Sequence, residues 1–195
     1  MNIMKLLLLG CIVLFSVSCG SDSNREIKEP VEERKFHAIP DDYNPEAKLE
    51  ELNITLRDQG TPVANYVHAV QSGNLVFLAG KGPKQANGKN IVGKLGEDLT
   101  LEEGYAAAKE AGINQLSVLK TMLGNLNKVK RVVKVKGMVN AVPDFKDHSK
   151  VINGYSDLMV AVFGENGKHA RAAVGMGSLP GNMAVEVEMI VEVYE

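Results

Sequence analysis

KHARAAVGMGSLPGNMAVEVEMIVEV, residues 168–193, decides how the rest of the chain is read. Two runs of small and β-branched residues flank Leu179-Pro180-Gly181-Asn182, a turn cluster, and the pattern predicts a β-hairpin. In the second run Met183, Val185, Val187, Met189, Val191 and Val193 alternate with Ala184, Glu186, Glu188, Ile190 and Glu192. A strand turns successive side chains to opposite faces, so one face is wholly apolar and the other mostly carboxylate. The first run sets Arg171, Ala173, Gly175 and Gly177 on one face and Ala170, Ala172, Val174 and Met176 on the other. A planar guanidinium over a shelf of Ala and Gly can receive a carboxylate in bidentate fashion. The plainer alternative is an arginine paired with a neighbouring glutamate on a solvated sheet face.

Working back from that stretch, Pro143-Asp144 opens a helix whose apolar stripe is Val151, Ile152, Tyr155, Leu158, Met159, Val162 and Phe163, closed by Gly164. Residues 129–139 alternate as a strand, with Val133, Val135 and Val139 on one face and Lys130, Lys134 and Lys136 on the other. Thr100-Leu101-Glu102-Glu103 is a capping box. The helix it starts carries Leu101, Tyr105, Ala108, Leu116, Leu119 and Leu123 and ends at Gly124-Asn125. Tyr66–Val70 and Leu75–Gly80 flank Gln71-Ser72-Gly73-Asn74 and predict a second hairpin. Residues 84–98 read as an exposed loop, and residues 46–57 as a short helix with a lead-in strand.

The element order is therefore β-β-α-β-α-β-β. One apolar sheet face and two amphipathic helices make a two-layer α+β sandwich. The second sheet face is expected to carry Lys134, Lys136, Arg171, Glu186 and Glu188 among Ala, Gly, Val and Met. Such a face is a poor free surface and suggests a symmetric oligomer.

The 195 residues suit one domain plus extras, and a net charge of −2 gives no reason to expect nucleic acid or an anionic surface as partner. Both cysteines, Cys11 and Cys19, lie in the first twenty residues, so the rest of the chain has no thiol chemistry. The histidines at 37, 68, 148 and 169 show no ligand spacing, so no metal and no cofactor is expected.

Lys5 and the apolar run 6–17 have the form of a signal peptide, too short to span a bilayer. Ser16 and Ser18 precede Cys19, and residues 1–18 resemble a bacterial lipoprotein signal with Cys19 lipidated; Cys11 as the lipidated residue and plain secretion are the alternatives. Residues 19–45 read as a polar tether and 46–195 as the folded domain. The expectation is an exported lipoprotein, periplasmic or at the cell surface, touching the membrane through its lipid alone.

Ala170-Arg171-Ala172-Ala173-Val174, Leu179-Pro180 and Val185-Glu186-Val187-Glu188 together resemble the RidA (YjgF-type) family, also labelled endoribonuclease L-PSP. Tyr66, Gly73-Asn74, Ala79-Gly80 and Asn153-Gly154-Tyr155-Ser156 extend the likeness across about residues 60–195. The resemblance implies a chorismate-mutase-like fold and a homotrimer with a central barrel and clefts between subunits. It implies hydrolysis of small enamines and imines, such as 2-aminoacrylate, to a 2-keto acid and ammonia. Arg171 falls on the family's carboxylate-binding arginine and Glu186 on the glutamate that positions or activates water. Tyr66 falls on an aromatic residue that shapes the cleft from a neighbouring subunit, and Ala79 and Gly80 on a Ser-Gly pair at the site's edge. Ala173 replaces a frequent cysteine that contributes mainly its backbone N–H. The loss of the hydroxyl at Ala79 and the position of Asn153, one place off the family's asparagine, are departures.

A free glutamate is a weak base at neutral pH, so Glu186 would need desolvation or would act by positioning. The competing reading is a non-catalytic trimer that binds or senses a small carboxylate through Arg171. Ribonuclease chemistry is disfavoured, because the chain offers no basic stripe with interleaved aromatics and no suitable His pair.

Overall fold

The structure, a computed structural model, describes residues 43–194. The expected signal segment, Cys11, Cys19 and most of the tether lie outside the described residues. Of the expected tether, only residues 43–45 are described, and these pack against the folded domain. Asn44 caps a short helix α1 (Pro45–Glu51) through its side chain, and Pro45 is buried. Tyr43 Oη already donates to Val129 O at 2.8 Å. No strand follows α1: residues 54–60 run without regular structure, contrary to the lead-in strand expected there.

The remaining elements are β1 (Ala69–Ser72), β2 (Leu75–Lys81), α2 (Leu101–Leu123), β3 (Val129–Asn140), α3 (His148–Phe163), β4 (Ala170–Met176) and β5 (Val185–Val193). The mixed α+β architecture is the one expected, a five-stranded sheet against a helical layer. The capping box forms at the start of α2, where Glu103 N donates to Thr100 Oγ1 and Thr100 N to Glu103 Oε2. Gly124 ends that helix with φ of 76°, a left-handed conformation that glycine adopts without strain. All seven residues of the expected α3 stripe are buried. That helix starts at His148; Pro143-Asp144 form a separate turn ahead of it and not its first turn. Tyr105 does not share the buried stripe of α2; its hydroxyl donates to Asp157 Oδ2 on the outer surface.

The order across the sheet is β1-β2-β5-β3-β4. The expected β4–β5 hairpin does not form. β3 lies between the two, parallel to β4 and antiparallel to β5. Parallel strands need a long crossover, and α3 provides it. Residues 177–184 then carry the chain past the end of β3, through a turn at Pro180–Asn182, into β5. The hairpin signal in this stretch was a connection, not a pairing.

This insertion changes which residues share a face. Val135 is fully buried and pairs with both Arg171 and Met189, so Arg171 leaves the sheet on the helix side. Glu186 pairs with Met138 and leaves on the other side. The common face expected for Arg171, Glu186 and Glu188 is therefore wrong. β3 is also irregular: register shifts at Val129/Arg131 and Val132/Lys134 bring Val132, not Val133, to the core side beside Val135. Glu192 is nearly buried and is clasped by Lys130, Arg131 and Asn74. Burial alone would raise its pKa, but the two cations hold it below the usual carboxylate range.

On the side away from the helices, one row of the sheet runs Val70, Phe77, Ile190, Lys134, Ala170. Val70 is 55% and Phe77 43% exposed, and no described element covers them. The core lies on the other side, between the sheet and α2 and α3. There the two helices approach closely at Gly154, where an added Cβ would lie 2.0 Å from the Tyr105 carbonyl oxygen. A backbone carbonyl cannot swing aside as a side chain can. Gly154→Ala should destabilise the fold by about 1–3 kcal/mol, the range for overpacking. Urea unfolding of the variant checks this, and an unchanged midpoint would contradict the close approach.

Candidate functional site

Arg171 sits on β4, an edge strand of small residues over which α3 can press closely. An added Cβ at Gly175 would lie 2.4 Å from His148 Nε2, which shows how little room separates the two elements. Arg171 Nη1 donates to Asn153 Oδ1 at 2.8 Å and to Ser156 Oγ at 3.0 Å, both on α3. Both partners are neutral. Among the described residues no carboxylate is paired with this guanidinium, so the plainer reading of a surface Arg–Glu pair does not hold. Ala173 lies two residues on, partly buried against the core.

Ser156 Oγ also lies 3.0 Å from His169 Nε2, and His169 Nδ1 lies 2.6 Å from Gly167 O. Burial lowers the His169 pKa; the Gly167 carbonyl raises it in part, and the Arg171 charge lowers it again. His169, two residues before Arg171, is thus a neutral ring at neutral pH. Its place two residues before Arg171 marks it as a strand-entry residue near the cleft, but its contact with Ser156 is made across the α3–β4 turn and is not legible in the sequence.

Glu186 stands at a second location, on β5 beside the end of β2. The β2–β5 register shifts between Leu78 and Lys81, a bulge that takes Ala79 and Gly80 out of the regular ladder. Gln115 of α2, fully buried, fills the gap: its Nε2 donates to Ala79 O at 3.0 Å and to Val187 O at 2.8 Å. Glu186 folds over Gly80 so closely that an added Cβ there would meet Oε1 at 2.2 Å. A side chain at position 80 would have to displace the Glu186 carboxylate from this position. Burial raises the Glu186 pKa, Glu188 raises it further, and Lys136 offsets part of the rise. This is the desolvation that a glutamate base would need.

Tyr66 precedes β1, half exposed, with its ring edge-on to His68 at 6.4 Å. His68 Nδ1 lies 2.7 Å from Lys81 Nζ, next to Gly80. Burial lowers the Lys81 pKa, with a smaller contribution from Lys84. Neither His68 nor Lys81 stood out in the sequence, since their meeting depends on the β1–β2 register and the bulge. A cleft of about 230 Å³ opens beside them, floored by Val118 and Met122 and bounded by Gly60 and His68. It contains neither Arg171 nor Glu186.

The sequence-derived site residues therefore fall into two groups. Arg171 and Ala173 lie at the β4 edge under α3; Glu186, Ala79 and Gly80 lie at the β2–β5 bulge, with Tyr66 ahead of β1. Glu186 and Arg171 are separated by two strand spacings and three residues of rise, about 14 Å between Cα atoms, and point to opposite faces. One chain does not bring them together. Among the described residues no group of three His, Cys, Asp or Glu is placed to hold a metal ion. No described helix is long and apolar enough to cross a membrane.

Residues 46–193 match the family described as "YjgF/chorismate mutase-like, putative endoribonuclease". The chain is 45% identical over 147 residues to Protein TCP17 of Trypanosoma cruzi, covering 75% of this chain and 92% of that protein. The crystal structure of Atu1372 from Agrobacterium tumefaciens, a protein titled as of unknown function, is 43% identical with a TM-score of 0.71; the match covers 77% of this chain and 94% of that one. A structure titled a putative endoribonuclease from Shewanella oneidensis is 30% identical with a TM-score of 0.74, covering 77% of this chain and 99% of that one.

The raised pKa of Glu186 has a consequence for stability. The folded state holds the Glu186 proton more tightly than the unfolded state does, so stability falls as pH rises from the ordinary value of 4.5 through the raised one. Glu186→Gln removes that loss. The variant should be more stable than wild type at pH 7, and the difference should close below about pH 4. Urea unfolding at the two pH values reads it; a variant less stable at pH 7 would show that the carboxylate is favourably paired instead.

Proposed function

The chain belongs to the YjgF/chorismate mutase-like family, and from that premise we propose that it hydrolyses small enamines or imines of the 2-aminoacrylate type to a 2-keto acid and ammonia. The observation that carries the reading is Arg171: a half-buried guanidinium held on two neutral side chains with its charge uncompensated. Such a group suits a carboxylate ligand. In the proposed reaction Arg171 holds the substrate's carboxylate. Glu186, with its pKa raised, takes a proton from water as the water oxygen bonds to the imine carbon. Glu186 returns that proton to the nitrogen to give the carbinolamine; the hydroxyl proton then passes through Glu186 to the nitrogen, the C–N bond breaks, and ammonia leaves as the C=O forms. The net reaction adds one water and releases one ammonia, without a metal or cofactor.

Because Arg171 and Glu186 diverge within one chain, this function calls for a cleft shared between copies, Arg171 from one and Glu186 with Tyr66 from the next. The uncovered Val70–Phe77 face favours such an assembly, a homotrimer in our reading. Ala79 and Gly80 line its rim, and Ala173 offers a backbone N–H. A second reading, a trimer that binds or senses a small carboxylate without turnover, is favoured by Ala79, which supplies no hydroxyl at the rim.

Keto-acid release from 2-aminoacrylate generated in situ tests the proposal. Arg171→Ala should lower kcat/KM by roughly 10- to 100-fold, the worth of a charge-assisted hydrogen-bonded pair. Glu186→Gln should lower kcat by about 100-fold. Mixing and reassembling the two variants should restore activity at roughly a quarter of the clefts, those that draw an intact residue from each parent. Turnover that survives both substitutions would sink the hydrolase, and carboxylate binding without turnover would favour the sensor.

We further propose that the protein is an exported bacterial lipoprotein anchored through Cys19, on the support of Lys5, the apolar run 6–17 and Ser16-Val17-Ser18-Cys19. A clickable fatty acid fed to expressing cells should label the protein, and Cys19→Ser should abolish the label. Persistent labelling of that variant would point to Cys11.

A further inference from the structure

We propose that Ser156 and His169 are positioning residues for Arg171, forming a one-directional hydrogen-bond chain that presents the Nε/Nη2 edge of the guanidinium to a ligand. The inference rests on the reading of Arg171 as a carboxylate anchor and extends it to two residues to which the family resemblance gave no role.

The direction of the chain follows from donor and acceptor counts. Gly167 O can only accept, so His169 Nδ1, at 2.6 Å, carries the hydrogen. In the neutral ring Nε2 then has a lone pair, and Ser156 Oγ, at 3.0 Å, donates its single hydrogen to it. The serine oxygen is left with lone pairs only and accepts from Arg171 Nη1 at 3.0 Å. A serine alone, free to rotate, could turn its hydrogen toward the helix carbonyl four residues back; the histidine removes that choice. Asn153 Oδ1 accepts from the same Nη1 at 2.8 Å. Nη1 has two hydrogens, and both are taken. The three remaining N–H groups, on Nε and Nη2, are where a carboxylate can bind side-on.

The chain also explains why the site tolerates a cation without a counter-ion. Its partners are dipoles whose negative ends all face the guanidinium, and burial keeps the imidazole uncharged beside it. A carboxylate in place of Ser156 or Asn153 would neutralise Arg171 and compete with the ligand.

The test uses the full-length protein and two readouts. Nitrogen-15 NMR reports the His169 tautomer and whether the Arg171 guanidinium is held, seen as separately resolved Nη signals. Titration with pyruvate, the simplest 2-keto acid, reports carboxylate binding. Wild type should show the Nδ1–H tautomer and resolved Nη signals. Ser156→Ala and His169→Leu should merge those signals and weaken pyruvate about ten-fold, the scale of one lost hydrogen bond to a charged group. Ser156→Thr, which keeps the hydroxyl, should stay within about two-fold of wild type. Arg171→Ala should not bind. An Nε2–H tautomer, or Nη signals unmoved by Ser156→Ala, overturns the positioning chain whatever pyruvate does. Resolved, Ser156-dependent Nη signals without pyruvate binding uphold the chain and overturn the carboxylate reading instead.

Discussion

Strand β3 is paired on both edges, parallel to β4 and antiparallel to β5, and the placement of every candidate residue depends on that double pairing. Its twelve residues are long enough to serve both partners, and its apolar positions reach the core despite two shifts of register. Because β4 is parallel to it, α3 must cross the sheet between them, and α3 is what delivers Asn153 and Ser156 to Arg171. An antiparallel β4–β5 hairpin would have set Arg171 among the glutamates. The inserted strand turns it to the helix side instead, where it meets only neutral groups.

The consequence is a chain whose chemically distinctive groups are divided by its own sheet. On one side a cation is held by dipoles; on the other a desolvated glutamate bends over a glycine. Each group is well made locally, and among the described residues neither has its complement beside it. A site that uses both has to be completed from outside, and the exposed Val70 and Phe77 on the glutamate side offer a surface on which a second copy can rest. Our functional proposal follows from this division as much as from family membership.

Backbone irregularity is the means by which the glutamate side is built. The bulge in β2 releases Ala79 O from the ladder, and a buried polar group without a partner is costly. Gln115 meets that carbonyl and Val187 O together, tying α2 to the bulge from below. Above it, Gly80 leaves space for Glu186. A regular strand at this point would have no reason to bury a glutamine in its helix and would bring a side chain where the carboxylate lies.

The α+β class, the capped limits of α2, the stripe of α3, the apolar face of β5 and the β1–β2 hairpin were legible in the sequence, because each is dictated by local periodicity or by a cap within a few residues. Arg171, Glu186, Tyr66 and Ala79-Gly80 stood out through resemblance to a family motif. What the chain's own pattern did not reveal was which strands pair, which face each residue takes, and what lies across from it. A run of alternating residues states that a strand has two faces, not which neighbour it will choose, and the choice of β3 over β5 as partner for β4 inverted the placement of Arg171. His169, Gln115 and Lys81 became meaningful only in three dimensions, since their partners lie on other elements. Local sequence determined the elements, and the competition of whole strands for pairing edges and buried area determined the site.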